Sequence, residues 1–317
     1  MCLKYYNKET KTLTIPCTFN EELKDIPEET EIITFSENYY KKQFYNFDIH
    51  IDNLPKSLTS LTFNIIFNQP VDNLPENLTH LTFGASFNQP VDNLPKNLTH
   101  LIFGYDFNRS VDNLPKSLTQ LTFDNEFDKL VNKLPETLTH LTFGESFNQR
   151  VDNLPKSLTH LTFGFYFNQS VDNLPENLTH LTFGNCFNHL VNNLPEQLTH
   201  LSFGLRFNQL VDKLPKKITR ITFGDYFNQA INNLPKNITE IQIYCDNQII
   251  NNLPEHIEKI FIEFSKNAKF NKKIENLPIT IKEIVIEKEE YKKYIKIPFD
   301  VKITIQHFTK NIIKKYS

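Results

Sequence analysis

The chain has 317 residues, with 34 Lys plus Arg against 37 Asp plus Glu and a formal charge of −3. Without a basic block, nucleic acid is not expected as its main partner, and it is too apolar and too weakly charged to be disordered. It holds 7 Gly but 28 Phe, against an average near 7% glycine, so a few residue types are being reused at fixed places. No run of 18 apolar residues suggests a membrane helix. The start, MCLKYYNKETK, lacks the apolar core of a secretory signal. Cys2, Cys17, Cys186 and Cys245 follow no disulfide or zinc spacing, which fits a reducing, intracellular compartment.

Residues 1–50 read as degenerate repeats and a cap. Ile15, Phe19-Asn20, Leu23 and Ile26-Pro27 have the internal spacing of Phe63, Phe67-Asn68, Val71 and Leu74-Pro75. Ile33 and Phe35 supply the next strand. An insertion around SENYYKKQFY separates it from Phe47, Ile51 and Leu54.

Residues 51–246 repeat every 20 positions with the generic unit LPKSLTHLTFGxxFNQxVDN. Leu-Pro recurs from Pro55 to Pro235. Because proline breaks a helix interior, this segment predicts extended chain. LTF alternates apolar, polar, apolar, the two-residue period of a strand. In one unit Leu81 and Phe83 face one way, His80 and Thr82 the other. Leu78, Leu81, Phe83, Phe87, Val91 and Leu94 are the expected interior of a coil. Phe occupies two columns, one at Phe63, Phe83 and onward, the other at Phe67, Phe87, Phe107, Phe127, Phe147, Phe167, Phe187, Phe207 and Phe227. All seven glycines (Gly84, Gly104, Gly144, Gly164, Gly184, Gly204, Gly224) share one column with Asn64 and Asp124. These three residue types tolerate positive φ, so the column predicts a left-handed position ending the strand.

Residues 247–317 return to degenerate repeats and a cap. Ile241/Ile243, Ile260/Ile262 and Ile284/Ile286 are strand pairs with Phe replaced by Ile, and Val301, Ile303 and Ile305 read as a last strand. The segments KEEYKKYIK and KNIIKKYS suit a cap. One unit cannot bury its own apolar face, so such repeats stack. The expected fold is mainly β: one continuous solenoid domain with one parallel sheet of about 15 short strands and few or no helices, at about 4.8 Å per strand.

The polar columns are the candidate sites. Asn68, Asn88, Asn108, Asn148, Asn168, Asn188, Asn208 and Asn228, with Asp128 as the exception, can satisfy backbone groups of adjacent coils as a structural ladder. The pair running from Asp72-Asn73 to Asn232-Asn233 is expected to cap its turn through local backbone bonds. Its free exchange of Asp, Asn and Lys weakens a calcium reading. His80, His100, His140, His160, His180 and His200 share one outward strand column, completed by Ser60, Gln120, Arg220 and Glu240. It is either a solvent-exposed polar ladder or a partner-binding stripe on the concave face. Parallel imidazoles do not close a tetrahedral shell, so no metal is expected. The two residues after Gly vary most from unit to unit. Among them Tyr105, Phe165, Tyr166, Arg206 and Tyr226 are the expected contact residues, since Tyr and Arg are common interface anchors.

The repeated Phe-Asn signature, as in Phe67-Asn68-Gln69-Pro70 and Phe87-Asn88-Gln89-Pro90, resembles that of the FNIP repeat family. That family is similar to leucine-rich repeats and is found in social amoebae and amoeba-infecting giant viruses. The resemblance implies a leucine-rich-repeat-like solenoid, in the host cytoplasm if the chain is viral. Two departures stand out. The Asn column lies two places later than in ordinary leucine-rich repeats, and the first 12 residues cannot form the F-box that some members carry. No nucleophile stands beside a base, and every glycine belongs to the repeat. The expectation is a non-enzymatic scaffold without a cofactor, binding a host protein on its concave face. A structural, particle-associated protein and an F-box-less substrate adaptor of a ubiquitin ligase are the alternatives.

Overall fold

The computed structural model describes residues 2–16, 18–36, 47–244, 250, 252–264 and 273–306. The insertion at 37–46, the terminal segment KNIIKKYS, Cys17 and Cys245 lie outside the described residues. The chain forms two compact units. The first is Met1–Gln149 with Asn153–Leu158, and the second is Arg150–Asp152 with Thr159–Ser317.

The first unit begins with a 3-10 turn, Cys2–Tyr5, and carries eight strands: β1 (Tyr6–Asn7), β2 (Thr12–Ile15), β3 (Ile32–Phe35), β4 (Ser60–Thr62), β5 (His80–Thr82), β6 (His100–Ile102), β7 (Gln120–Thr122) and β8 (His140–Thr142). β1 turns back antiparallel onto β2, pairing Tyr6 with Leu13. From β2 onward each strand lies parallel to the next, in chain order. The second unit continues with β9 (His160–Thr162), β10 (His180–Thr182), β11 (His200–Ser202), β12 (Arg220–Thr222), β13 (Glu240–Tyr244), β14 (Lys259–Glu263), β15 (Glu283–Ile286) and β16 (Lys302–Ile305). These are also parallel and in chain order. The segment KEEYKKYIK forms a 3-10 turn at Glu289–Tyr294. Sixteen strands exceed the expected fifteen by β1, a two-residue strand without a repeat signature.

The register is the repeat. Leu81 pairs with Leu101 and Leu181 with Leu201, so each interior column stacks on itself. Leu78, Leu81, Phe83, Phe87, Val91 and Leu94 are all buried. The two phenylalanines of a coil stack 3.6–3.7 Å apart at Phe83–Phe87 and Phe183–Phe187. Between coils the spacings are 5.6 Å for Phe83–Phe103 and 6.2 Å for Phe87–Phe107. Each such ring contributes about 1.5–3 kcal/mol on burial. The Leu-Pro segment is irregular and opens a tight turn, in which Leu78 N–H donates to the Pro75 carbonyl at 3.1 Å.

Two expectations are corrected. No glycine among the described residues has positive φ. The column is small because adjacent coils approach too closely for a side chain. A Cβ on Gly184 would lie 1.7 Å from the Gly164 carbonyl oxygen, and one on Gly104 would lie 2.1 Å from that of Gly84. Asn64 instead turns its amide inward, where its Oδ1 accepts the Phe67 N–H at 3.0 Å. At Asp124, burial pushes the carboxyl above its ordinary range. The second correction concerns the Asp-Asn pair, which bonds between coils rather than locally. Asn93 Nδ2 donates to Asp72 at 3.0 Å, Asn193 to Asp172 at 3.0 Å, and Lys133 replaces the amide with an ion pair to Asp112.

Candidate interaction face

The outward side of the sheet is built from residues that alternate with the buried Leu and Phe. In the first unit it presents His80, His100, Gln120 and His140 in register. In the second it presents His160, His180 and His200. The rings stack, with centroids 4.2 Å apart for His80–His100 and His160–His180 and 4.3 Å for His180–His200. Each ring is held by the threonine before it. Thr79 Oγ1 donates to the Thr59 carbonyl at 3.0 Å and lies 2.9 Å from His80 Nδ1. Thr99, Thr139, Thr179 and Thr199 repeat both contacts. A hydroxyl has one proton. Since that proton goes to the carbonyl, Nδ1 must carry the N–H that donates to the threonine oxygen. This fixes one tautomer and puts the acceptor lone pair on Nε2. Stacked, side-by-side lone pairs of this kind do not converge on a single ion. Among the described residues no cluster of three or more His, Cys, Asp or Glu could hold a metal.

In the second unit the column runs on as alternating charges: Arg220, Glu240, Lys259, Glu283 and Lys302 stand in register. Glu283 pairs with Lys259 at 2.9 Å and Lys302 at 3.3 Å. The hydrogen bond from Thr304, then that from Lys259, holds its carboxyl down to about 2. Beside this ladder Phe261 is only 5% exposed although it faces outward. Arg220 and Lys259 cover it, 4.5 and 4.9 Å from the ring centre. Arg220 and Glu240 were named from the sequence. Lys259, Glu283 and Lys302 were missed, although each precedes the first Ile of an Ile-x-Ile or Ile-Phe-Ile strand. His100 is held below the ordinary histidine value by burial and then by His80 and His140. His200 is lowered by burial and then by Arg220, against Glu240.

The rim residues occupy a turn whose backbone is tied to the preceding coil. Cys186 N–H donates to the Phe165 carbonyl and Arg206 N–H to that of Asn185, both at 2.9 Å, and Tyr226 N–H to that of Leu205 at 3.1 Å. The side chains are left outside. Phe165 is 36% exposed, Tyr166 54% and Tyr226 62%, and Arg206 is exposed. These four lie in the second unit and Tyr105, also exposed, in the first. The structure thus stacks His80 on His100 in the first unit, with His140 beyond Gln120, stacks three histidines in the second, and places the aromatic rim mainly in the second. The Asn column lies behind the turn. Asn68 Oδ1 accepts the Asn88 N–H at 2.8 Å, Asn88 that of Asn108 at 3.0 Å, Asn168 that of Asn188 at 2.9 Å, Asn188 that of Asn208 at 2.9 Å and Asn208 that of Asn228 at 2.8 Å. Asp128 Oδ1 accepts the N–H of Asn148 at 2.9 Å.

The FNIP Repeat family matches nine overlapping segments, from 45–86 to 207–246. The chain belongs to the FNIP repeat family. One solved structure that it resembles is CroV588, described as a novel circular LRR protein structure. It is 35% identical, with a TM-score of 0.71 over 90% of this chain. The FNIP chain spans about half of that protein, 51% of its length. The pneumococcal vaccine antigen PcpA is 14% identical over 96% of the FNIP chain and 82% of its own, and its TM-score of 0.19 carries no argument. No curated protein matches the FNIP chain. The fold is therefore a leucine-rich-repeat-like solenoid, mainly β with almost no helix. No helix among its described residues is long and apolar enough to cross a membrane.

Proposed function

We propose that the chain is a non-enzymatic scaffold that binds a protein partner through its rim and the outward side of its sheet. One observation carries the reading. Phe165, Tyr166, Arg206 and Tyr226 differ from coil to coil and stand exposed, while the backbone of the turn is tied by the same N–H to carbonyl bond at Cys186, Arg206 and Tyr226. Variable side chains on a fixed frame lose little entropy on binding, and Tyr and Arg are the residues that most often dominate interfaces. The His column adds a row of acceptors of fixed tautomer for donors on the partner. The likeness to a leucine-rich-repeat protein supports a binding role over a catalytic one.

The test places a photoreactive residue at Tyr166 or Tyr226, with Lys236 as an off-face control, and exposes the protein to lysate of its source cells. The expected result is one protein species crosslinked from both rim positions and not from Lys236. The double substitution Tyr166→Ala with Arg206→Ala is expected to abolish its retention while leaving the melting temperature within about 2 °C, as for surface changes. Equal labelling from all three positions, or retention unchanged by the double substitution, rejects the reading.

A further inference from the structure

The last coil of the second unit repeats the interior pattern, but no described residue covers it. Ile303 and Ile305 stand in register with Ile284 and Ile286, which are both 0% exposed. Ile305 is 46% exposed and Ile303 half-buried. Ile297, before Pro298 as Leu277 is before Pro278, is 38% exposed where Leu277 is 9%. Phe299, in the turn that follows, is 93% exposed. The first coil of the chain is different. There β1 and the 3-10 turn cap the sheet, and Leu13 and Ile15 are 0% and 1% exposed. A solenoid needs a polar cap at each end to remain soluble. Among the described residues the β16 end has none, and the far edge of β16 has no strand partner.

We propose that two copies of this chain join through β16, as an antiparallel pair of strands about a two-fold axis at Thr304. The N–H groups of Lys302 and Gln306 donate to carbonyls of the β15 coil, Lys282 and Ile286. Alternation along the strand therefore leaves the backbone polar groups of Ile303 and Ile305 on the open edge. With the axis at Thr304, Ile303 of each copy opposes Ile305 of the other as a hydrogen-bonded pair. The apolar side chains then meet on the interior side of both sheets. Lys302 faces Gln306, and Lys302 already pairs with Glu283, so no like charges meet. A shift of one residue would set Ile against Thr and turn the apolar side chains to the wrong face. The interface is isologous and therefore closed, and the capped β1 end offers no site for further head-to-tail growth.

Sedimentation equilibrium on the full chain at micromolar concentration tests the pairing, and a Thr304→Cys substitution tests the register. The expected result is twice the chain mass, falling to the chain mass in Ile305→Lys with little change in melting temperature. The axis sets Thr304 opposite itself as a non-hydrogen-bonded pair with Cα atoms about 4.5 Å apart, within disulfide reach. Mild oxidation should therefore link Thr304→Cys into dimers, but not Lys302→Cys or the unchanged chain. A monomeric full chain overturns the proposal and leaves this edge to the chain's own last residues or to another protein. So does a dimer that survives Ile305→Lys and gives no Thr304→Cys crosslink.

Discussion

A single hydroxyl proton settles the state of the imidazoles at His80, His100, His140, His180 and His200. Because Thr99 Oγ1 donates to the Thr79 carbonyl, His100 Nδ1 must donate to Thr99. Burial and the neighbouring His80 and His140 both disfavour a second proton on that ring. His100 and His200 are expected to titrate below 6.5 by NMR, and Arg220→Gln should raise His200 only part of the way back, since burial is its larger cause. The sign for stability follows. A folded-state histidine value below the unfolded one means that the unfolded chain binds the extra proton first. The contribution of these groups is therefore complete above pH 6.5 and is lost as pH falls through that value toward the folded one. Urea midpoints measured from pH 7.5 to 5 should decline, and the decline should shrink in His100→Gln. Glycine 184 makes a second residue-scale case. Gly184→Ala sets a Cβ against the Gly164 carbonyl and should cost about 1–3 kcal/mol, as overpacking does. A left-handed position would instead tolerate Gly184→Asn better than Gly184→Ala; close approach predicts that Asn is worse than Ala, which urea melts of the two variants decide.

At the scale of one strand and its turns, the same side chains serve two coils at once. Asn188 illustrates this, since its Oδ1 takes the N–H of Asn208. Asp128 does the same for Asn148, so only an acceptor oxygen is needed. Asn188→Asp should therefore be nearly neutral, while Asn188→Ala should cost about 0.5–1.5 kcal/mol, the net worth of one hydrogen bond. Phe187→Ala, at a ring 0% exposed, should cost about 3–5 kcal/mol. Urea unfolding of the three variants would rank them, and equal losses for Asn188→Asp and Asn188→Ala would defeat the acceptor argument. The Leu and Phe columns, the strand positions and the outward histidines were legible because a period of 20 fixes them without any coordinates. Causes were less legible than positions. Close backbone approach and positive φ select the same small residue, so the glycine column did not reveal which was at work. Asp72 and Asn93 bond across 21 residues, a distance that local turn rules ignore. β1 was missed because two residues, Tyr6 and Asn7, carry no period. At the candidate site the rim positions were legible from their variation. The threonine lock was not, because it depends on a carbonyl one coil away.

Among the described residues of the regular repeats, tertiary hydrogen bonds outside the local turns join residues 19–21 apart, as in Ser117 to Leu98, Asn88 to Asn68 and Asn97 to Glu76. Each coil thus has partners only before and after it, and stability becomes a sum of coil and neighbour terms. Coils are then interchangeable parts, provided that the period is kept. Removing residues 167–186, which all lie in the second unit, would join Tyr166 to Phe187 and leave every column in phase. The interior would still read Phe163 then Phe187, with the Asn168 place taken by Asn188. That variant is expected to fold with unchanged strand signal in circular dichroism. Its urea m-value should drop by about 6%, in proportion to the 20 of 317 residues lost. Removing only residues 167–176 costs fewer residues but puts the following Leu and Phe columns half a period out of step. Leu178 and Phe183, both buried in the native coil, would then fall at the exposed places of Asn168 and Asn173. The shorter deletion should therefore be the more damaging, and a shorter deletion that melts above the longer one would contradict a stack held by period alone.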